Sequence, residues 1–356
     1  RKVGALMADD INITPKNNSF LLGQEKAEQV FLQAWKNQNM HHAWILNGPK
    51  GIGKATLAYR IARFLLWADE NEKEKYTSLN VPEDSTVFKQ VATGSHLDLM
   101  LVERDYIETD RKKIIKAIQK GEAPDEEELS TMKKSAFIRV DDVRKVNEFL
   151  SKTSFNNNWR VVIIDSADDM NKNAANALLK ILEEPPAHTV LLLISHNAGM
   201  LLPTIRSRCA KLPLQMLDAN ITASLLRRYR PHLNEAMISK VAEMCPQSIG
   251  QAILYADLDA VGMYDKLCKI LYSKQKFTLS ELLDFCSDAV ANADGFDLLQ
   301  ELILKFIREN MPQSQDVEAL YSCWDETNRM FADCQNINMD KKQMLINLIT
   351  KICKVL

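Results

Sequence analysis

Seven consecutive residues, Gly48-Pro49-Lys50-Gly51-Ile52-Gly53-Lys54, join a short apolar run at 43–46 to a stretch with helical spacing that opens at Lys54. Glycines in this pattern let successive backbone N–H groups curl around an anion, and the start of a helix adds partial positive charge. A lysine at the helix start can then reach the outer oxygens of a polyphosphate. Strand, loop and helix together are the context of a phosphate-binding P-loop; a chance glycine-rich turn would not need all three. The next residue in such a loop supplies a hydroxyl to Mg²⁺, and here it is Ala55. Thr56 follows, but one helical step rotates a side chain by about 100°, so its hydroxyl is expected to point away from the metal. Residues 48–56 are therefore expected to contact a nucleotide, ATP or ADP, with Mg²⁺ held weakly or not at all.

A second acidic element supports that expectation. Val161-Val162-Ile163-Ile164-Asp165 is an apolar strand ending in a carboxylate, which places an aspartate at the carboxyl edge of a parallel sheet where a metal would sit. Asp165 is a candidate to orient Mg²⁺, directly or through water. The following residue, Ser166, has a hydroxyl that cannot act as a general base at ordinary pH. Asp168 and Asp169 read as helix-start or surface carboxylates.

Apolar runs near 43–46, 97–102, 160–164 and 190–195 alternate with helical patterns near 26–36, 54–67, 143–151 and 173–182, the last stopped by Pro185-Pro186. That alternation predicts an α/β fold, a parallel sheet with helices on both faces. Residues 103–136 interrupt it with charge clusters and read as a solvated insertion, disordered or an exposed helix. After Pro213 the spacing is helical to the end. The expected division is a tail over 1–20, a P-loop domain over 21–215, a helical lid over 216–258 and a helical collar over 259–356. Because the chain starts at Arg1, its N-terminus is read as incomplete.

A length of 356 residues calls for more than one core. A formal net charge of −2 argues against a generally basic nucleic-acid surface, so any DNA contact must be local or indirect. Seven scattered cysteines form no C-x-x-C pair, which reads as reduced, mostly buried thiols and no zinc. No apolar run approaches a bilayer span, so no membrane contact and a cytoplasmic location are expected.

The loop and Asp165, together with Asn176-Ala177-Leu178-Leu179-Lys180-Ile181-Leu182-Glu183-Glu184-Pro185-Pro186 and Ile205-Arg206-Ser207-Arg208-Cys209, resemble the bacterial DNA polymerase III clamp loaders, an AAA+ family. The likeness covers roughly residues 21–256, and the later helices match only in character. His41-His42-Ala43-Trp44 and Gly94-Ser95-His96-Leu97-Asp98-Leu99 look like its delta-prime branch. The resemblance implies that Arg208 is an arginine finger acting in trans on a neighbour's ATP, a role that suits a permanently charged, multi-donor guanidinium. Pairing with a local carboxylate is the alternative for Arg208; Arg206 could support the same site or be solvated. It also implies that Ser195 is the sensor-1 residue and that Ser248-Ile249-Gly250-Gln251 falls at sensor 2, without the arginine that active members carry near Gly250. Gln24 matches a Gly-Gln element near the adenine, or it only caps the first helix. Many members carry a four-cysteine zinc module soon after the P-loop helix; residues 68–91 contain no cysteine.

The implied function is a stator in a pentameric loader of the sliding clamp on primed DNA, with gamma/tau and delta subunits as partners and little or no hydrolysis of its own. Two other readings stay open. One is an active motor subunit of the gamma/tau type, with Thr56 and Asp168 replacing the lost groups; the other is a nucleotide-sensing module unrelated to replication.

Overall fold

The computed structural model describes residues 13–120, 122, 124, 128, 129, 132–152, 159–272, 278–291, 293–313, 316–336 and 340–355. Contacts divide these into two units, one of residues up to 225 with 247–250, the other of residues 226–246 with 251 onward.

The first unit contains α1 (Glu25–Lys36), β1 (Ala43–Asn47), α2 (Lys54–Trp67), α3 (Thr86–Thr93), β2 (Leu99–Val102), α4 (Glu108–Gln119), α5 (Val140–Ser151), β3 (Arg160–Ile164), α6 (Lys172–Glu183), β4 (Thr189–Ser195), the single turn α7 (Pro203–Arg206) and β5 (Ala210–Pro213). The strands form one parallel sheet in the order β2-β3-β4-β1-β5. β3 and β4 are buried along their whole lengths, which is why they read as unbroken apolar runs. Side chains alternate across the sheet. Trp44, Leu46, Val161, Ile163, Leu192 and Ile194 join Phe31, Leu57 and Phe64 of α1 and α2 in one layer. Ala43, Ile45, Val162, Ile164, Leu191 and Leu193 join Val143, Val146, Leu178 and Leu182 of α5 and α6 in the other. This is the expected α/β architecture, a parallel sheet covered on both faces and followed by helices.

The strand expected at 97–102 begins two residues later, since Leu97 is exposed. β5 was not expected. Its four residues are too few to show a period, and it exists because Ala210–Pro213 pair with Trp44–Asn47 of β1. Its edge position tolerates Pro213, which has no N–H to donate. The described part of the insertion contains α4, whose side chains are mostly exposed, the second of the two alternatives for that segment. Residues 121, 123, 125–127, 130 and 131 of the insertion and 1–12 of the expected tail lie outside the described residues.

Residues 16–19 are not a free tail. α2 buries Arg63, 1% exposed, whose Nη1 and Nη2 donate to the carbonyls of Lys16 (2.8 Å) and Asn18 (2.6 Å). Arg60, on the same helix, donates to the Ser19 carbonyl and pairs with Glu28. The segment lacks apolar periodicity because it meets α2 through carbonyl oxygens.

α8 (Ala219–Tyr229) and α10 (Ile249–Asp257) each cross the boundary between the units. The second unit also holds α9 (Glu235–Met244), α11 (Ala260–Tyr272), α12 (Leu279–Val290), α13 (Ala293–Asn310), α14 (Val317–Asn336) and α15 (Lys341–Val355). Contacts group its first helices with its last in one unit. Arg230, 5% exposed, makes a bidentate pair with Asp257 at 2.6 and 2.7 Å, and Gln251 and Tyr255 both donate to Glu301 of α13. None of the seven cysteines is in a disulfide, and all but Cys268 are buried. Among the described residues no helix is long and apolar enough to cross a membrane.

Candidate functional site

β1 delivers the chain to Gly48, and α2 begins at Lys54. Two of the glycines are required by shape. At Gly48, φ is +152° and an added Cβ would stand 2.5 Å from the Ile52 side chain; at Gly53, φ is +101° and a Cβ would stand 2.9 Å from Leu21. Gly48 N donates to the Ser195 carbonyl at 3.3 Å, while the N–H groups of Lys50 to Thr56 find no backbone acceptor among the described residues. The last three of these are the first-turn donors that any helix leaves unsatisfied. Such a row of orphan donors fits an oxyanion, and phosphate is the group the loop suits.

Lys54 is 3% exposed, and its Nζ donates to the carbonyls of Gly48 and Pro49, both at 2.5 Å. Burial lowers its pKa to about 8, against the opposing pull of Asp168 and Asp165. A phosphate in the loop would supply the nearby negative charge that burial denies it.

The metal side of the site is weaker. Ala55 packs against the apolar cluster of α1, α2 and the sheet. Asp165 follows β3, its N–H bonded to the Val102 carbonyl at 2.8 Å. Burial raises its pKa, with His196 and Lys54 lowering it and Glu103 raising it. Ser166 adopts a left-handed backbone, φ 58°, and its Oγ lies 3.2 Å from His196 Nε2.

Asp168 is more than a surface carboxylate. It accepts the Ser195 hydroxyl at 2.5 Å, the His196 N–H and the Asn197 N–H at 3.0 Å. These bonds tie the loop after β3 to the end of β4. They also commit Ser195, which is fully buried, because its hydroxyl has one hydrogen and gives it to Asp168.

Gln24 makes no side-chain cap on α1. Its amide instead donates to the carbonyls of Ile52 (3.2 Å) and Gln215 (2.8 Å) and accepts from Gln215 N (2.9 Å), so it ties the phosphate loop to the segment after β5. At the segment expected to hold sensor 2, Gly250 N donates to Gly51 O at 3.1 Å, and a Cβ on Gly250 would stand 3.0 Å from Gly51 Cα. The loop backbone occupies the space at the base of any side chain there.

The loop, Asp165 and Ser195 thus gather at the carboxyl ends of the strands. Arg208 stands elsewhere. Ala210, the first residue of β5, pairs with Trp44, four residues before Gly48, so roughly 13 Å of parallel strand separates the two ends. At that opposite edge Arg208 Nη2 lies 2.8 Å from Glu183 Oε1, at the end of α6, and Nη1 donates to Thr204 O at 3.1 Å. A local carboxylate partner is thus present, as one of the two readings of Arg208 expected. Arg206 Nε is buried with no partner among the described residues. The bond of Asp168 to Ser195, the contact of Ser166 with His196 and the pairing of Glu183 with Arg208 were not expected from the sequence. Glu183 was quoted only as part of the Glu-Glu-Pro-Pro string.

The profile of the family described as "DNA polymerase III, delta subunit" matches residues 23–218, which is more than half of the chain. The chain belongs to this clamp-loader family. It is 30% identical over 241 residues to DNA polymerase III subunit delta-prime of Pseudomonas aeruginosa, covering 68% of this chain and 62% of that protein. It is 26% identical over 281 residues to the Bacillus subtilis subunit delta-prime, covering 78% and 74%. DNA polymerase III subunit gamma of Buchnera aphidicola subsp. Schizaphis graminum is 25% identical over 243 residues, covering 67% of this chain and 57% of that protein. The match thus spans less than two thirds of the Pseudomonas and Buchnera relatives.

Proposed function

We propose that this chain is the delta-prime-type stator of a DNA polymerase III clamp loader, a cytoplasmic assembly that places the sliding clamp on primed DNA. Its partners are gamma/tau and delta subunits, with the clamp and primer–template DNA bound by the whole complex. Residues 48–56, with Asp165 and Ser195 close by, hold a nucleotide or its phosphates without hydrolysing it appreciably. Arg208 serves as an arginine finger for the ATP of a neighbouring motor.

The observation that carries this reading is the separation of Arg208 from its own phosphate loop, at opposite edges of one parallel sheet. A guanidinium there cannot reach the chain's own γ-phosphate, but it is free to meet a phosphate on another molecule. The losses at Ala55 and Ser166 support the non-hydrolysing half of the reading. The test is reconstitution with gamma/tau, delta, clamp and primed DNA. Arg208→Ala is expected to cut stimulated ATP hydrolysis by about ten-fold or more, and unchanged hydrolysis would overturn the finger.

The gamma relative keeps a second reading in view, an active gamma/tau-type motor. Thr56 and Asp168 would then have to replace the lost groups. Asp168 already accepts three hydrogen bonds, which leaves it little capacity to polarise water. Turnover of ATP by the purified chain, abolished by Lys54→Ala, would favour the motor; background turnover would exclude it.

A further inference from the structure

We propose that Glu183 is a holding partner for Arg208, a carboxylate of the same chain that keeps the guanidinium in place until a phosphate on a neighbouring subunit displaces it. The proposal rests on the reading of Arg208 as an arginine finger.

Glu183 is the last residue of α6, where the helix carbonyls already carry partial negative charge and a carboxylate is disfavoured. Its side chain is 50% exposed, so packing does not explain its position. The charge that offsets it is Arg208 Nη2 at 2.8 Å. The Thr204 carbonyl takes a second guanidinium donor, from Nη1 at 3.1 Å. Two acceptors from two elements, α6 and α7, therefore hold one cation at the amino-terminal edge of the sheet.

Both side chains remain substantially exposed, 36% for Arg208 and 50% for Glu183, so solvent and salt screen the pair. Exposed pairs of this kind bias an equilibrium by no more than about five-fold. A terminal phosphate carries more charge than a carboxylate and offers several oxygens to the guanidinium fork, so it displaces the carboxylate. The exchange is a swap. Once Arg208 has turned to a phosphate, Glu183 is left at a helix C-terminus without its counter-charge and is repelled by the incoming anion. Glu183 therefore competes with the neighbour for Arg208 and weakens the engagement of the finger by up to about five-fold, and a neighbour that lacks the phosphate offers nothing to displace it.

The test uses the full chain with purified gamma/tau, delta, clamp, primed DNA and ATP. Glu183→Gln keeps the length of the side chain and removes its charge. It is expected to reach half-maximal stimulation of ATP hydrolysis at about two- to five-fold lower concentration than the wild type, with the maximal rate unchanged. Direct binding to ATP-loaded gamma/tau is expected to show the same shift, and to show none in the Arg208→Ala background. If Arg208→Ala leaves stimulation intact, the finger itself is wrong and the holding role goes with it. If Arg208→Ala abolishes stimulation but Glu183→Gln gives an equal or higher half-maximal concentration, only the holding role is overturned. A shift that persists in the Arg208→Ala background also overturns it. Glu183→Ser, too short to reach Arg208, provides the same comparison should the glutamine variant melt below the wild type.

Discussion

Ser195 gives its hydroxyl hydrogen to Asp168 Oδ1 at 2.5 Å, which fastens the end of β4 to the loop that follows β3. The second carboxylate oxygen takes two backbone N–H groups, of His196 and Asn197. Hydrogen bonds to a charged acceptor contribute about 1.5–3 kcal/mol each, and those that share one carboxylate do not add fully. Asp168→Ala is expected to destabilise the chain by about 2–4 kcal/mol, and Asp168→Asn by about half as much because one acceptor oxygen remains. Urea denaturation at neutral pH checks both; a loss under about 0.5 kcal/mol for alanine would show that the three bonds are dispensable.

Gln24 spans the phosphate loop and the segment after β5, and it is 2% exposed. Gln24→Leu keeps the volume but leaves the carbonyls of Ile52 and Gln215 and the Gln215 N–H without this partner. An unmet buried polar group costs about 1–3 kcal/mol, so a loss of about 2–4 kcal/mol is expected. A nucleotide-site role alone predicts a different result, lost ligand affinity with the melting temperature of the free chain unchanged.

Gly250→Ala should reverse the usual sign. In an ordinary helix alanine is favoured over glycine by roughly 0.5–1 kcal/mol. Here the new Cβ would meet Gly51 Cα at 3.0 Å, beside the bond from Gly250 N to Gly51 O. A loss of about 1 kcal/mol is expected in chemical denaturation, and a gain would mean that the loop yields readily.

Lys54 is expected to make the proposed phosphate binding sensitive to pH. Its pKa, about 8 in the free chain because of burial, must rise when an anion fills the loop, so binding takes up a proton above that pH. Affinity for ADP without metal is expected to be flat below pH 8 and to fall by up to about ten-fold per unit above it. Calorimetric titrations across this range check the slope, and Lys54→Met should remove it. For the unliganded chain the sign is opposite. An unfolded lysine keeps its proton to a higher pH than Lys54 does, so the unfolded state binds more protons between about 8 and the ordinary lysine value, and stability rises with pH there.

Much of the site is legible where its parts are close in sequence. The loop at 48–54, the missing hydroxyl at Ala55 and the strand ending in Asp165 each lie within one turn or one strand, where residue type constrains backbone shape and side-chain reach directly. The central strands are legible because burial on both faces demands unbroken apolar runs. β5 is not, since four residues show no period and only pairing with β1 makes them a strand. Residues 16–19 read as a tail because their contribution is backbone carbonyls to Arg60 and Arg63, which leaves no mark on side-chain pattern.

The chain's own sequence thus determines the glycine-rich loop at 48–54 and the residues beside it, Ala55 and Ser166, because residue identity is read one position at a time. Tertiary structure alone decides their partners. Ser195 meets Asp168 across 27 positions, Gln24 meets Gln215 across 191, and Arg208 meets Glu183 at the edge of the sheet away from the loop. Spacing along a chain says nothing of such distances. They are set by the parallel stacking of β1, β4 and β5, which brings loops from distant segments to the two ends of one sheet.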